Sequence, residues 1–251
     1  MKIKQLGNGG AFNFEMTNTS FLVDIDDEYT LIDCGYNVYS ELRNQDKSKE
    51  IDLKKLIRVY ITHMDDDHMG SLKTLIYYQY FINNIILEVV SYKEVYNSLE
   101  KYLSDIDGYI KYNEKQLVQM FRLVNLNNTM YINKNRTFGI RILVSNHFKP
   151  CYGIEFSYHD DDFFKIVFTG DTKYNHRVKD NYNNINCLIF HDYSNWNEPS
   201  QQVHCCESDF KYYSENIKKK IIKVHNDEEF NSNWMEVISE EDKLILKETS
   251  K

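Results

Sequence analysis

Short apolar runs, broken by acidic or glycine-containing turns, recur through the first third of the chain and again beyond residue 140. Residues 20–24 and 29–33 flank the acidic turn Asp26-Asp27-Glu28 and predict a hairpin. Residues 56–62 are β-branched and largely apolar, the composition of a strand buried on both faces. Residues 140–144 have the same style. Residues 153–158 and 163–169, on either side of His159-Asp160-Asp161-Asp162, predict a second hairpin, and 187–190 and 221–224 complete the strands. Helical spacing appears at Leu72, Leu75, Ile76 and Tyr80 and again at Val95, Tyr96, Leu99, Tyr102 and Leu103. These predict helices over 72–81 and 92–103, with 207–220 as a third, more polar candidate. Residues 73–135 as a whole read as a Tyr-rich helical stretch. Gly35, Gly70, Gly153 and Gly170 each close an apolar run, where glycine marks a tight turn or a close backbone approach. Strands, then mixed elements, then strands again predict two β-rich layers with outer helices.

Composition narrows the class. A chain of 251 residues, 42% hydrophobic and 27% charged, forms a packed core and is not a disordered polymer. No apolar run approaches the ~20 residues of a membrane span. The segment Met1 to Leu6 lacks the apolar core of a secretory signal, so the expectation is a soluble, cytoplasmic protein. Two glycosylation sequons, at Asn18 and Asn127, carry no weight in that setting. The net charge of −8 weighs against broad binding of nucleic-acid backbones. Cys34, Cys151, Cys187, Cys205 and Cys206 are odd in number and show no C-x-x-C spacing, which predicts buried free thiols in a reducing compartment.

The chemistry concentrates in Thr62-His63-Met64-Asp65-Asp66-Asp67-His68-Met69-Gly70, directly after the buried strand. His63, Asp65, Asp67 and His68 are four ligand-type residues within six positions. Along an extended segment, a spacing of two puts His63 and Asp65 on one side, and a following turn presents Asp67 and His68. The alternative is an acidic solvated turn with incidental histidines, but such a turn seldom carries histidines at both ends and a glycine two residues later, so the segment reads as a metal loop. Three further runs end in a ligand-type side chain: residues 144–147 at His147, 168–171 at Asp171 and 222–225 at His225. Loops at strand ends carry sites because the sheet holds them rigidly. Among other histidines, His159 reads as surface, His176 could be either surface or site, and His191 reads as packing or as support behind the ligands.

This series of motifs resembles the metallo-β-lactamase superfamily, whose pattern is His-x-His-x-Asp-His after a strand, a later His, a Gly-Asp and a final His. The likeness covers nearly the whole chain and implies a single domain over residues 1–251. Leu6-Gly7-Asn8-Gly9-Gly10-Ala11-Phe12, Asn18-Thr19-Ser20-Phe21-Leu22, Ile32-Asp33-Cys34-Gly35 and His147 with Tyr152-Gly153 are similar to the ribonuclease Z branch. Ile189-Phe190-His191-Asp192 resembles that branch's His-Glu segment with Asp for Glu, and Val203-His204 its late histidine. The fold this implies is α/β, a four-layer αββα sandwich of two mixed sheets with outer helices. One metal would take His63, Asp65, His147 and a bridging Asp171; the other Asp67, His68, Asp171 and His225. Catalytic roles would fall to His204, Asp192 and Asp67. Asp65 departs from the pattern, which has histidine there. A carboxylate is harder than imidazole and adds negative charge, so manganese or iron stand beside zinc as the two divalent ions.

Two metals ~3.5–4 Å apart lower the pKa of a bridging water and clamp charge at phosphorus. The implied reaction is phosphodiester hydrolysis by attack of that hydroxide, with His204, oriented by Asp192, protonating the leaving sugar oxygen. The tRNA 3′-processing enzymes of the branch carry a basic, often Gly- and Pro-rich arm, whereas this chain has two prolines and is acidic. The chain looks most like phage anti-Pycsar cyclic-nucleotide phosphodiesterases, which are compact and dimeric. The expectation is therefore hydrolysis of cyclic mononucleotides in the host cytoplasm, as phage counter-defence, by a homodimer without membrane partners. A tRNA 3′-endonuclease and a non-catalytic nucleotide-binding protein are the alternatives.

Overall fold

The computed structural model describes residues 1–106, 119–127, 130–131, 138–158, 165–195, 203–240 and 243–249. The first predicted hairpin is present: β2 (Ser20–Ile25) pairs antiparallel with β3 (Glu28–Ile32). Its two-residue turn holds Asp26 at φ 55° and Asp27 at φ 68°. Positive φ at both central positions suits the right-handed twist of the flanking strands, and Asp tolerates it better than most residues.

The buried run becomes β4 (Leu56–Tyr60), parallel to β3 and to β5 (Leu87–Ser91). With β1 (Lys2–Gly7), β6 (Phe121–Asn125), β13 (Met235–Glu240) and β14 (Lys243–Glu248) they form one sheet, ordered β14-β13-β1-β2-β3-β4-β5-β6. The second sheet runs β12 (Ile221–Val224), β11 (Cys187–Asp192), β10 (Lys165–Phe168), β9 (Tyr152–Tyr158), β8 (Phe138–Val144), β7 (Met130–Tyr131).

Side-chain alternation sorts each strand between two apolar layers. On β2, Phe21, Val23 and Ile25 face the second sheet, meeting Phe156, Ile166, Phe168 and Phe190, while Leu22 faces outward. That outward layer is covered by α1 (Val38–Ser48), α3 (Leu72–Phe81) and α4 (Lys93–Tyr102) through Val38, Leu42, Leu75, Ile76, Val95 and Leu99. The second sheet is covered on its outer side by α5 (His176–Tyr182), α6 (Glu207–Phe210) and α7 (Glu215–Lys218), through Val178, Phe210 and Ile217 against Val167 and Ile189. Helix, sheet, sheet, helix is the expected four-layer order. Between the sheets, Phe21, Phe168 and Phe190 pack with centroids 4.8–4.9 Å apart. All five cysteines are free and buried, as expected. Among the described residues no helix is long and apolar enough to cross a membrane.

Strand direction positions the chemistry. β10, β11 and β12 are mutually parallel, and β8 joins them in direction because β9 is antiparallel to both β8 and β10. Their carboxyl ends therefore share one edge, and His147, Asp171, Asp192 and His225 all lie at those ends.

Several expectations need correction. Residues 73–135 are not helical throughout, because β5 and β6 lie within them, and residues 107–118 fall outside the described residues. The helix over 207–220 is two short helices, since Ser214 caps a fresh start by accepting from the Ile217 N–H and Tyr213 turns into the core. Gly153 does not close a run; it sits inside β9, where an added Cβ would lie 2.3 Å from the Phe168 carbonyl oxygen. The acidic turn at 159–162, with His159, lies outside the described residues. Strand β1, helix α1 and the β13–β14 hairpin were not read from the pattern.

Candidate metal centre

The loop after β4 runs extended through His63 and Asp65, then closes into α2 (Asp66–Met69), which carries Asp67 and His68. Gly35 lets that turn approach, since a Cβ there would come 2.1 Å from the Asp67 carbonyl oxygen. Gly170 stands at φ 59°, and its Cβ would meet Cys151 Sγ at 3.0 Å and Thr62 Cβ at 3.1 Å. Only glycine suits both the left-handed backbone and the space, and it turns Asp171 into the centre.

Asp33, at φ 60° just past β3, organises the histidines. Its Oδ1 accepts from the Thr62 N–H at 2.8 Å, and its Oδ2 lies 2.8 Å from both Thr62 Oγ1 and His68 Nδ1. A carboxylate only accepts, so Thr62 and the His68 Nδ1–H both donate to it. Thr62 has spent its single proton, so it accepts from the His63 Nδ1–H at 2.9 Å. The His147 Nδ1–H donates to the Val203 carbonyl at 3.3 Å. Each of these three rings thus turns its Nε2 inward. His63 Nε2, His68 Nε2 and His147 Nε2 are all buried and lack a hydrogen-bond partner. Buried polar atoms are normally satisfied, so three converging imidazole nitrogens fit a cation.

The ligand-type atoms fall into overlapping groups, each within 4.8 Å: His63 with Asp65 and His147, Asp67 with His68 and His225, His63 with His68 and Asp171, and Asp171 with His204 and His225. Asp171 is the residue reached from both sides, with Oδ1 3.1 Å from His68 Nε2 and Oδ2 3.7 Å from His63 Nε2 and 3.9 Å from His225 Nε2. His225 adopts φ 64° and its N–H donates to Asn8 Oδ1 at 2.8 Å, which ties the N-terminal loop to the site.

The electrostatics agree with this donor set. Burial, then neighbouring His68, pushes His63 down to about 3, so it is neutral and able to ligate. Burial opposes charge on His68, but the Asp171, Asp67 and Asp33 carboxylates outweigh it and raise its pKa well above the ordinary value. Burial disfavours ionised Asp171, yet His225, His68 and His63 hold it well below the carboxylate range. Asp65 is likewise held low, by His147 first and also by Lys149. A centre that binds a proton this way releases it when a divalent cation enters.

His204 stands beside the cluster. Its Nδ1–H donates to Asp192 Oδ2 at 2.9 Å, and its ring stacks on His225 with centroids 5.1 Å apart. Asp192 also accepts the Thr172 N–H at 2.7 Å, which fixes the carboxylate. Burial works against a charged His204, but Asp192 outweighs it and raises the pKa to about 9. His191 points away into the outer core, bonded to Tyr213 Oη at 2.8 Å. His176 is exposed at the start of α5. Every predicted ligand is therefore in the cluster, whereas Asp33, Thr62, Asn8 and Lys149 carried no assigned role in the sequence. An aspartate after an apolar strand was a signal for Asp33; Lys149 had none.

Two sheets with outer helices and this cluster at their shared edge define a metallo-β-lactamase-fold protein. The metallo-β-lactamase fold protein YhfI from Bacillus subtilis superposes with a TM-score of 0.69 at 16% identity, covering 90% of this chain and 86% of that one. Human tRNase Z, short form, superposes with a TM-score of 0.65 at 15% identity, covering 90% and 93%. At such identities the likeness is one of fold. The family model of anti-Pycsar protein Apyc1 matches residues 1–246, and the chain belongs to that family. Relatives of that name occur in Bacillus phage BSP38, 35% identical over 82 residues, and Paenibacillus sp. (strain J14), 37% identical over 81 residues. These matched stretches span 32% of this chain and 30% and 31% of the two relatives.

Proposed function

We propose that the protein is a metal-dependent phosphodiesterase that opens cyclic mononucleotides. The observation that carries this reading is Asp171, shared between two groups of converging ligand atoms, with the His204–Asp192 pair alongside. His63, Asp65, His147 and Asp171 would hold one divalent ion, and Asp67, His68, His225 and Asp171 the other, with zinc suited to the imidazoles. Such a pair, when bound, supplies an activated water and neutralises charge on the phosphoryl oxygens. Asp33 and Thr62 hold His68 and His63 with Nε2 inward, so these ligands need no reorganisation. His204, carrying its proton at neutral pH, donates it to the sugar oxygen as the phosphorus–oxygen bond breaks. Asp192 keeps the imidazole in the orientation for that transfer.

The family model and the relatives carry the name anti-Pycsar protein, in keeping with the anti-Pycsar phosphodiesterases that the sequence resembles. The acidic balance of the chain, −8, supports a small cyclic substrate over a polyanionic RNA. Phe148, 64% exposed with its ring centroid 4.5 Å from that of His147, offers a stacking face beside the site. Product analysis against cyclic mononucleotides, cyclic dinucleotides and precursor tRNA tests the reading. Linear nucleoside monophosphates should form from the first class; cleavage of precursor tRNA alone overturns it.

We also propose a homodimer acting in the bacterial cytoplasm, in keeping with phage-encoded relatives. The outer face of α3 and the following turn support association, because Tyr77, Phe81, Ile82 and Ile86 stand exposed there. Sedimentation at micromolar concentration should give twice the chain mass, and Phe81→Glu should give the monomer. A wild-type monomer would remove the proposal.

A further inference from the structure

The one departure from the superfamily's ligand pattern, Asp65, has a partner that offsets it. Lys149 lies two residues past His147, on the opposite wall of the site, and its Nζ pairs with Asp65 Oδ1. That leaves Oδ2 as the oxygen facing the buried imidazoles, 3.6 Å from His63 Nε2 and 3.9 Å from His147 Nε2. The ammonium also lies 5.0 Å from the Phe148 ring centroid, and Pro150 restricts the backbone of Lys149. A half-exposed lysine on an ordinary surface carboxylate has little consequence. Here the carboxylate is three-quarters buried in side-chain terms and its free oxygen points at two unpartnered nitrogen atoms.

We propose that Lys149 is a positioning residue that makes Asp65 behave as a neutral ligand offering one atom. Imidazole brings one lone pair and no charge to a metal. A free carboxylate brings two oxygens and a negative charge, which favours hard ions of higher coordination number such as manganese. With Oδ1 engaged by an ammonium, the Asp65–Lys149 pair brings one oxygen and no net charge. The pair therefore does the work of the histidine that the superfamily pattern has at this position, and it keeps the centre suited to zinc.

This rests on the assignment of Asp65 as a metal ligand, and the test separates the two. The affinities of the purified full-length protein for Zn2+ alone and Mn2+ alone are measured by chelator competition. Asp65→Ala should weaken binding of at least one ion. Lys149→Met should shift the Zn2+/Mn2+ affinity ratio toward Mn2+ by about 10-fold or more, the lower end for residues that hold a metal ligand. Lys149→Arg, which keeps a cation on Oδ1, should restore the wild-type ratio. In an Asp65→His background the carboxylate is gone, so Lys149→Met should no longer move the ratio. A ratio within twofold of wild type in Lys149→Met, while Asp65→Ala loses metal, overturns the proposal alone. So does an equal shift in the Asp65→His background, which would mean that Lys149 acts by general repulsion. Unchanged metal binding in Asp65→Ala overturns both the proposal and the ligand assignment.

Discussion

Asp171→Ala should remove metal from both halves of the centre and lower phosphodiester hydrolysis by at least about 100-fold, because even partners that only hold a metal ligand are worth 10–100-fold. The reason is its position. Asp171 reaches toward His68 through one oxygen and toward His63 and His225 through the other, so its single carboxylate faces ligands of both groups. Elemental analysis should show the metal content per chain falling from two toward zero, with circular dichroism reporting that the sheets persist. Asp171→Asn keeps the shape and removes the charge, so it should lie between alanine and wild type in metal retention. A purified alanine variant with two metals and full turnover would require a different bridging residue.

The second large effect is expected at His204. His204→Ala should keep both metals and lower turnover on a sugar-leaving diester by ~10²–10⁴-fold, the usual worth of a general acid. Its Nδ1 is occupied by Asp192 and its raised pKa, about 9, keeps it protonated at neutral pH, which are the properties of a proton donor. The loss should shrink on a nitrophenyl ester, whose leaving group departs without a proton. The competing role is specific: His204 also falls within 4.8 Å of ligand-type atoms of Asp171 and His225. If the variant loses metal and loses equal activity on both substrates, His204 is a ligand and the second half of the centre must be redrawn.

Part of the fold was legible because some of its signals are local. Alternation, helical spacing and turn residues act between neighbours a few positions apart, so β2, β3, β4, α3 and α4 follow from their own segments. The helix over 207–220 failed for the same kind of reason in reverse. Its polar pattern had no strong stripe, and Tyr213 was drawn inward by His191, which sits on a strand 22 residues earlier. Strand β1 was missed because polar Lys4 and Gln5 are buried in it, and only its pairing with β13, Ile3 to Met235, joins the two ends of the chain.

By itself the sequence determined the candidate ligand-type residues and their order: His63, Asp65, Asp67 and His68 on one loop, and single residues at the ends of later strands. Motif spacing and likeness to a family were enough for that, since a loop after a buried strand constrains its own side chains. The tertiary structure alone decided what holds those residues in place. Asp33 reaches Thr62 and His68 from 29 and 35 positions away, and Lys149 reaches Asp65 across 84. Such contacts follow from strand order and register, which bring chain ends together through the packing of whole sheets. No period or turn within a single segment encodes them, and it is they that set which imidazole nitrogen faces the centre and how much charge the carboxylates bring to it.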